Sequence, residues 1–271
     1  MWTSLAVAAT LGWLPAQPAG NLGLSNDRIT YGELGVPRPD NKYLPGDVFF
    51  IAFDINNLKL DENGKAQIRM EMNITDAGGK SVFKQPPVDR DEFLLLGGNT
   101  LPAQAFVAIL LDQTPGTYAC KVTVTDRGSM QTASLEKRFE VLPKDFGLVQ
   151  IFTAHDEAGM FTAPPLGVNG SLLWVHFSVV GFKRDDKTKQ PDVLIEMQLT
   201  DEAGRPTLPK PTALPFKQLT DEAASLERFR LLLRLNRAGK FHIHLTATDK
   251  LANKTSKITL PITVLPAPTG Q

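Results

Sequence analysis

The segment TPGTYACKVTVTD, residues 114–126, has a chemical echo in NRAGKFHIHLTATD, residues 236–249, whose closing aspartate lies 123 positions after Asp126. In each, a glycine shortly precedes an aromatic residue, and apolar side chains then return at every second position. They are Tyr118, Cys120, Val122 and Val124 in the first segment, and Phe241, Ile243, Leu245 and Ala247 in the second. A period of two marks a strand with one buried face, because successive side chains point to opposite sides of a sheet.

Working outward from this pair, the correspondence extends over most of the chain. Gly46 in YLPGDVFFIAFDI matches Gly170 in GVNGSLLWVHFSV, and Asp76 in NITDAGGK matches Asp201 in QLTDEAGR. Gly116 matches Gly239, and Val141 in FEVLP matches Val264 in ITVLP; the four offsets are 124, 125, 123 and 123. Turn residues and hydrophobic phase hold this offset together, which points to duplication of a whole domain with small loop changes between the copies.

Further strands follow the same period. Ile68, Met70, Met72 and Ile74 alternate with Gln67, Arg69, Glu71 and Asn73, and Val193, Ile195, Met197 and Leu199 hold the matching phase. Asp76 and Asp201 open turns that combine an Asx-type hydrogen bond with a glycine tolerant of positive φ. DEAASLERFRLLLRL, residues 221–235, begins with helix-favouring residues, but Phe229, Leu231, Leu233 and Leu235 restore the alternation, so a turn or short helix entering a strand is expected. Many short strands separated by turns favour a sandwich or barrel.

The closing PGTYACKVTVTD and the following strand ending FEVLP resemble the last third of bacterial immunoglobulin-like modules, including the PKD, cadherin-like and fibronectin type III-like groups. The resemblance implies an all-β fold of two tandem immunoglobulin-like antiparallel β-sandwich domains, in which the Gly-x-aromatic step introduces strand F and the Thr-Asp turn leads to strand G. It does not carry function. The Trp-Asp-Phe-Gly-Asp-Gly signature of PKD modules, cadherin calcium motifs and the paired cysteines of antibody domains are all missing from the sequence.

With 271 residues, the chain accommodates two domains with their own cores, expected at residues 20–143 and 144–267, joined through VLPKDFG and followed by a tail at 268–271. Residues 1–19 carry an apolar run from Leu5 to Leu14 and then small residues, as in a signal peptide, although the run lacks a basic start; a truncated start or a disordered apolar leader is the other reading. Export to the periplasm, cell surface or surroundings is therefore expected. No later stretch has the roughly 18 uninterrupted apolar residues of a membrane-spanning helix. Lysine plus arginine and aspartate plus glutamate number 29 each, so no net basic field exists to attract nucleic acid. Cys120 is the single cysteine and excludes an internal disulfide; its inward phase reads as a small buried hydrophobe.

Motifs for catalysis do not assemble. The sequence has no Gly-x-Ser-x-Gly elbow, His-Glu-x-x-His helix, phosphate-binding loop or dinucleotide fingerprint. The sharpest local constellation is His242 and His244, which share the outward face of strand F and could bind zinc if Glu196, outward on the neighbouring strand C, joined them. His176 is expected outward too, but on strand B of the opposite sheet. The loops around Asp61 and around Asp185 and Asp186 offer carboxylates without an EF-hand spacing. Trp174, the one tryptophan beyond the leader, falls on an outward phase and is the candidate for carbohydrate stacking.

The reading that follows is an exported, non-enzymatic structural or binding protein that needs no cofactor and presents two sandwiches to a protein or cell-envelope partner through loops or sheet edges. A carbohydrate-binding accessory module is the alternative, followed by a small metalloenzyme using the histidine face.

Overall fold

The computed structural model describes residues 20–219 and 223–268, so the expected leader over residues 1–19 lies outside the described residues. The first unit contains β1 (Gly23–Ile29), β2 (Lys42–Tyr43), β3 (Val48–Asn56), β4 (Lys65–Thr75), β5 (Ser81–Phe93), β6 (Leu101–Ala108), β7 (Gly116–Asp126) and β8 (Gln131–Val141). They form two sheets, β1-β3-β6 and β2-β8-β7-β4-β5. The second unit contains β9 (Gly147–Ala154), β10 (Thr162–Ala163), β11 (Leu166–Val168), β12 (Leu172–Val180), β13 (Val193–Asp201), β14 (Thr212–Phe216), β15 (Leu226–Arg234), β16 (Gly239–Asp249) and β17 (Lys254–Leu265). Its sheets are β10-β9-β12-β15 and β11-β17-β16-β13-β14. The four sheets pair into two β-sandwich-like units, and the fold class is all-β. Every ladder is antiparallel except the short pairings of β2 with β8 and β11 with β17.

Residues 114–126 and 236–249 supply β7 and β16, each hydrogen-bonded on both sides within the larger sheet of its unit. Their inward residues, from Tyr118 to Val124 and from Phe241 to Ala247, belong to the two hydrophobic cores. The recurrence of the terminal aspartate also has a physical reason. The Asp126 carboxylate is fully buried and accepts hydrogen bonds from the Lys59 amide (2.9 Å), the Gly128 amide (2.9 Å) and the Ser129 hydroxyl (2.7 Å). Asp249, also fully buried, accepts from the amides of Lys183 (2.7 Å), Leu251 (2.9 Å) and Ala252 (3.0 Å). Each aspartate therefore fastens the β7–β8 or β16–β17 hairpin to the loop that crosses over from the facing sheet, β3–β4 or β12–β13.

The aromatic positions differ between copies. The Tyr118 hydroxyl donates to the Thr114 carbonyl at 2.7 Å, closing a corner at the start of β7. Phe241 has no hydroxyl, and the Arg237 guanidinium lies 4.9 Å from its ring centroid instead. Left-handed residues recur as well: Asn26 with Gln150, Asn57 with Gly181, and Met130 with Asn253. Gly181 departs from asparagine because a Cβ there would lie 2.1 Å from the Asp145 carbonyl oxygen, where the connecting chain passes.

Ahead of β15, Ala223 to Ser225 form a turn and bend, and no helix occurs among the described residues; residues 220–222 lie outside them. No helix there is consequently long and apolar enough to cross a membrane.

Cys120 is fully buried on β7, and burial, reinforced by Glu136, pushes its thiol up to about 12. Because the folded value is raised, this group's contribution to stability is complete below the ordinary thiol pKa and declines as pH rises towards about 12. Native protein at pH 8 should therefore resist a thiol reagent such as dithionitrobenzoate and react stoichiometrically once unfolded in guanidinium; rapid labelling of the native chain would contradict the buried placement.

Candidate functional site

The region where the units meet is built by the long β1–β2 connection, which reaches the second sandwich. Tyr31 enters that sandwich's core beside Phe146, Leu148 and Ile151. The next residue, Gly32, lies in the left-handed region at φ 72°, and a Cβ there would sit 2.6 Å from the Phe152 Cβ, so glycine permits the close approach to β9. Glu33 then links three elements. Its carboxylate accepts from Gln104 Nε2 on β6 (2.5 Å) and from the Thr162 hydroxyl on β10 (2.9 Å).

Deeper in the junction stands a buried polar node. Asp47 Oδ2 accepts from Arg38 Nη1 at 2.8 Å, and Oδ1 accepts from the amides of Val48 and Gln150, both at 2.8 Å. Gln150 reaches this position because β9 bulges: the register against β12 shifts between His176 and Ser178, and Gln150 takes φ 54°. Its side chain donates to the Gly46 carbonyl (2.8 Å) and accepts from the Ser178 hydroxyl (2.9 Å), so both ends of the amide are used.

The Arg38 guanidinium is packed against the rings of Tyr43 and Tyr31, 4.1 and 4.7 Å from their centroids, and donates to the Lys42 carbonyl at 2.9 Å. Burial opposes its charge, but Asp47, together with Tyr43 and Tyr31, offsets that and leaves its pKa raised. Burial likewise raises Tyr31 and Tyr43, against the lowering influence of Arg38.

Above this node is a cleft of about 490 Å³. Phe50 on β3 and Phe106 on β6 stack at 5.2 Å with 27° between their planes, and Phe152 stacks on His176 at 4.7 Å and 8°. Both aromatic pairs line the cleft, with Glu33, Gln104 and Arg228 supplying polar groups. A concave site between domains, with apolar surface and a few convergent polar groups, can hold a small ligand or part of a larger one.

His176 is oriented as expected but covered. It points away from the core of its own sandwich, as its phase implies, but it is only 8% exposed. Phe152 covers one face, Gly159 packs close by, and Nε2 lies 3.3 Å from the Asp156 carbonyl oxygen.

The other sequence candidates lie elsewhere. His242 and His244 share the outer face of β16 with ring centroids 6.3 Å apart, and β13 pairs directly with β16, so the neighbouring strands are as expected. The two ring nitrogens of His244 are each 3.0 Å from a threonine hydroxyl, those of Thr200 and Thr259, and Glu196 lies opposite Thr246 rather than opposite either histidine. Among the described residues, no three His, Cys, Asp or Glu side chains gather in a metal-binding group. Trp174 is half-buried on β12 between Ala154 and Leu232, outside the cleft lining. Asp61 accepts from the amides of Asn63 and Lys65, holding its own turn. Asp185 does the same with Thr188 and Lys187, which hold its carboxyl below the usual range.

Sequence reasoning overlooked Phe50 and Phe106. The available signal was a phenylalanine on the outward phase of VFFIAFDIN, where a solvent-facing strand ordinarily carries a polar side chain.

No family model matches this sequence, and no curated protein does. Among solved structures, the chain is similar to the C-terminal domain of the Streptococcus pyogenes antigen I/II-family protein AspA, at 9% identity over 90% of this chain and 100% of that one, with a TM-score of 0.31. It is also similar to the C-terminal domain of the Streptococcus agalactiae AgI/II polypeptide BspA, at 12% identity over 89% and 99%, with a TM-score of 0.29. A family 123 glycoside hydrolase from Clostridium perfringens matches at 13% identity over 38% of this chain and 23% of that one, with a TM-score of 0.26. Likenesses with such TM-scores carry no information about ligand or activity.

Proposed function

We propose that this chain is an exported, non-enzymatic binding protein of two domains, residues 20–143 and 144–267, and that the cleft between them seats its macromolecular ligand. The observation that carries this reading is the junction beneath the cleft. Asp47, Gln150 and Glu33 each bond across it, so the cleft's shape is set before a ligand arrives and less ordering is needed on binding. The titratable groups there are engaged in structure: Asp47 with Arg38, and Glu33 with Gln104 and Thr162.

A carbohydrate ligand is the second reading, supported by the Phe50–Phe106 platform beside the polar Gln104 and Glu33 rather than by Trp174. Immobilised glycans and peptides screened with the parent chain and with a Phe50→Ala, Gln104→Ala variant would test both. The expected result is binding by the parent that weakens about tenfold or more in a variant with an unchanged melting temperature. Equal binding by the two would remove the cleft from consideration, and the chemical class of the ligands retained decides between glycan and protein.

A further inference from the structure

Both units leave the same corner of the sandwich open. In the first, β5 and β6 are the last strands of facing sheets, and an apolar slot of about 350 Å³ lies beside them, lined by Ile74, Val107, Ile109, Tyr118, Phe139 and Val141. In the second, β14 and β15 occupy the matching edges, with a slot of about 360 Å³ lined by Leu199, Leu233, Leu235, Phe241, Ile262 and Val264. The two sets correspond position by position at offsets of 123 to 126, so the slot is part of the duplicated plan.

The edge beside each slot has free backbone groups. The Ile109 amide donates to the Asp47 carbonyl and the Leu235 amide to the Ser171 carbonyl, so both residues face the adjoining strand. By alternation, the amides and carbonyls of Gln104, Phe106 and Ala108, and of Arg230, Leu232 and Arg234, face the open side. Pro102 occupies an outward position in β6, where the missing N–H weakens pairing with another chain.

The outward side chains separate the two edges. β6 carries no charge, whereas β15 places Arg228, Arg230 and Arg234 on the face opposite Phe229, Leu231 and Leu233. Arg230 pairs with Glu157 at 2.8 Å and Arg228 lines the cleft; Arg234 has no carboxylate partner among the described residues.

We propose that β15 receives an extended segment of a partner protein by strand addition, the segment alternating apolar with acidic residues. Its backbone pairs with the outward groups of Arg230, Leu232 and Arg234. Its apolar side chains enter the slot, and its acidic side chains lie beside the arginine row, as cross-strand neighbours do. The uncharged β6 edge, interrupted by Pro102, does not select such a segment. Apart from Arg228 at its end, this site is separate from the cleft, and Phe50 and Gln104 are left untouched in its test.

The test uses the full chain and a capped, fluorescent peptide of about eight residues alternating valine and glutamate, with a valine–lysine peptide as control. Fluorescence anisotropy should show binding of the glutamate peptide only. Arg234→Glu should weaken it about tenfold or more by reversing an edge charge, and Leu232→Pro should abolish it by removing an outward donor. Arg234 is exposed, so that variant keeps the question answerable if Leu232→Pro does not fold. Failure of the glutamate peptide to bind, equal binding of both peptides, or insensitivity to Arg234→Glu would overturn the proposal. Self-association of the parent chain that disappears in Leu232→Pro would do so as well, by assigning the edge to a second copy.

Discussion

Replacing Asp47 by alanine is expected to destabilise the protein by about 3–5 kcal/mol in urea denaturation. The substitution removes the partner of the buried Arg38 guanidinium and leaves the Val48 and Gln150 amides without their acceptor. Arg38 would retain its packing on Tyr31 and Tyr43 while its charge lost compensation. Removing both members, Arg38→Met with Asp47→Ala, should recover a substantial part of the loss, because an uncompensated buried charge costs more than an absent pair. Calorimetry should also show the units of Asp47→Ala unfolding in more separated transitions. A loss below about 1 kcal/mol would mean that solvent replaces the carboxylate, and that the junction is looser than its hydrogen bonds imply.

Asp126→Ala should cost a similar amount, about 3–5 kcal/mol, for a different reason. No buried charge is stranded; instead the Lys59 and Gly128 amides and the Ser129 hydroxyl lose one shared acceptor. Asp126→Asn should be milder, since one oxygen still accepts while the amide NH₂ faces donors. Asp249→Ala should reproduce the effect in the second unit, where the same role is played towards Lys183, Leu251 and Ala252. Urea titrations of the three variants would check this, and unequal effects of Asp126→Ala and Asp249→Ala would show that the hairpin lock is not equivalent in the two copies.

The legibility of this protein divides along the range of its interactions. Strand phase is a local steric property, so alternation in residues 114–126 and 236–249 identified β7 and β16 and the side of each that meets the core. The same alternation assigned His242 and His244 to the outer face of β16, but the threonines that engage His244 come from β13 and β17. Exposure was less readable than phase. His176 points outward as expected, yet the β9–β10 connection covers it.

By itself, then, the sequence determined an all-β chain, the duplicated strand plan with its turns, and the inward position of Cys120, because each follows from neighbouring residues or from a repeated spacing. Tertiary structure alone decided the cleft, the node around Asp47 and the open edge of β15. Asp47 meets Gln150 across 103 residues and Glu33 meets Thr162 across 129, and such contacts depend on how two finished sandwiches and a bulged strand come together, for which no local pattern exists.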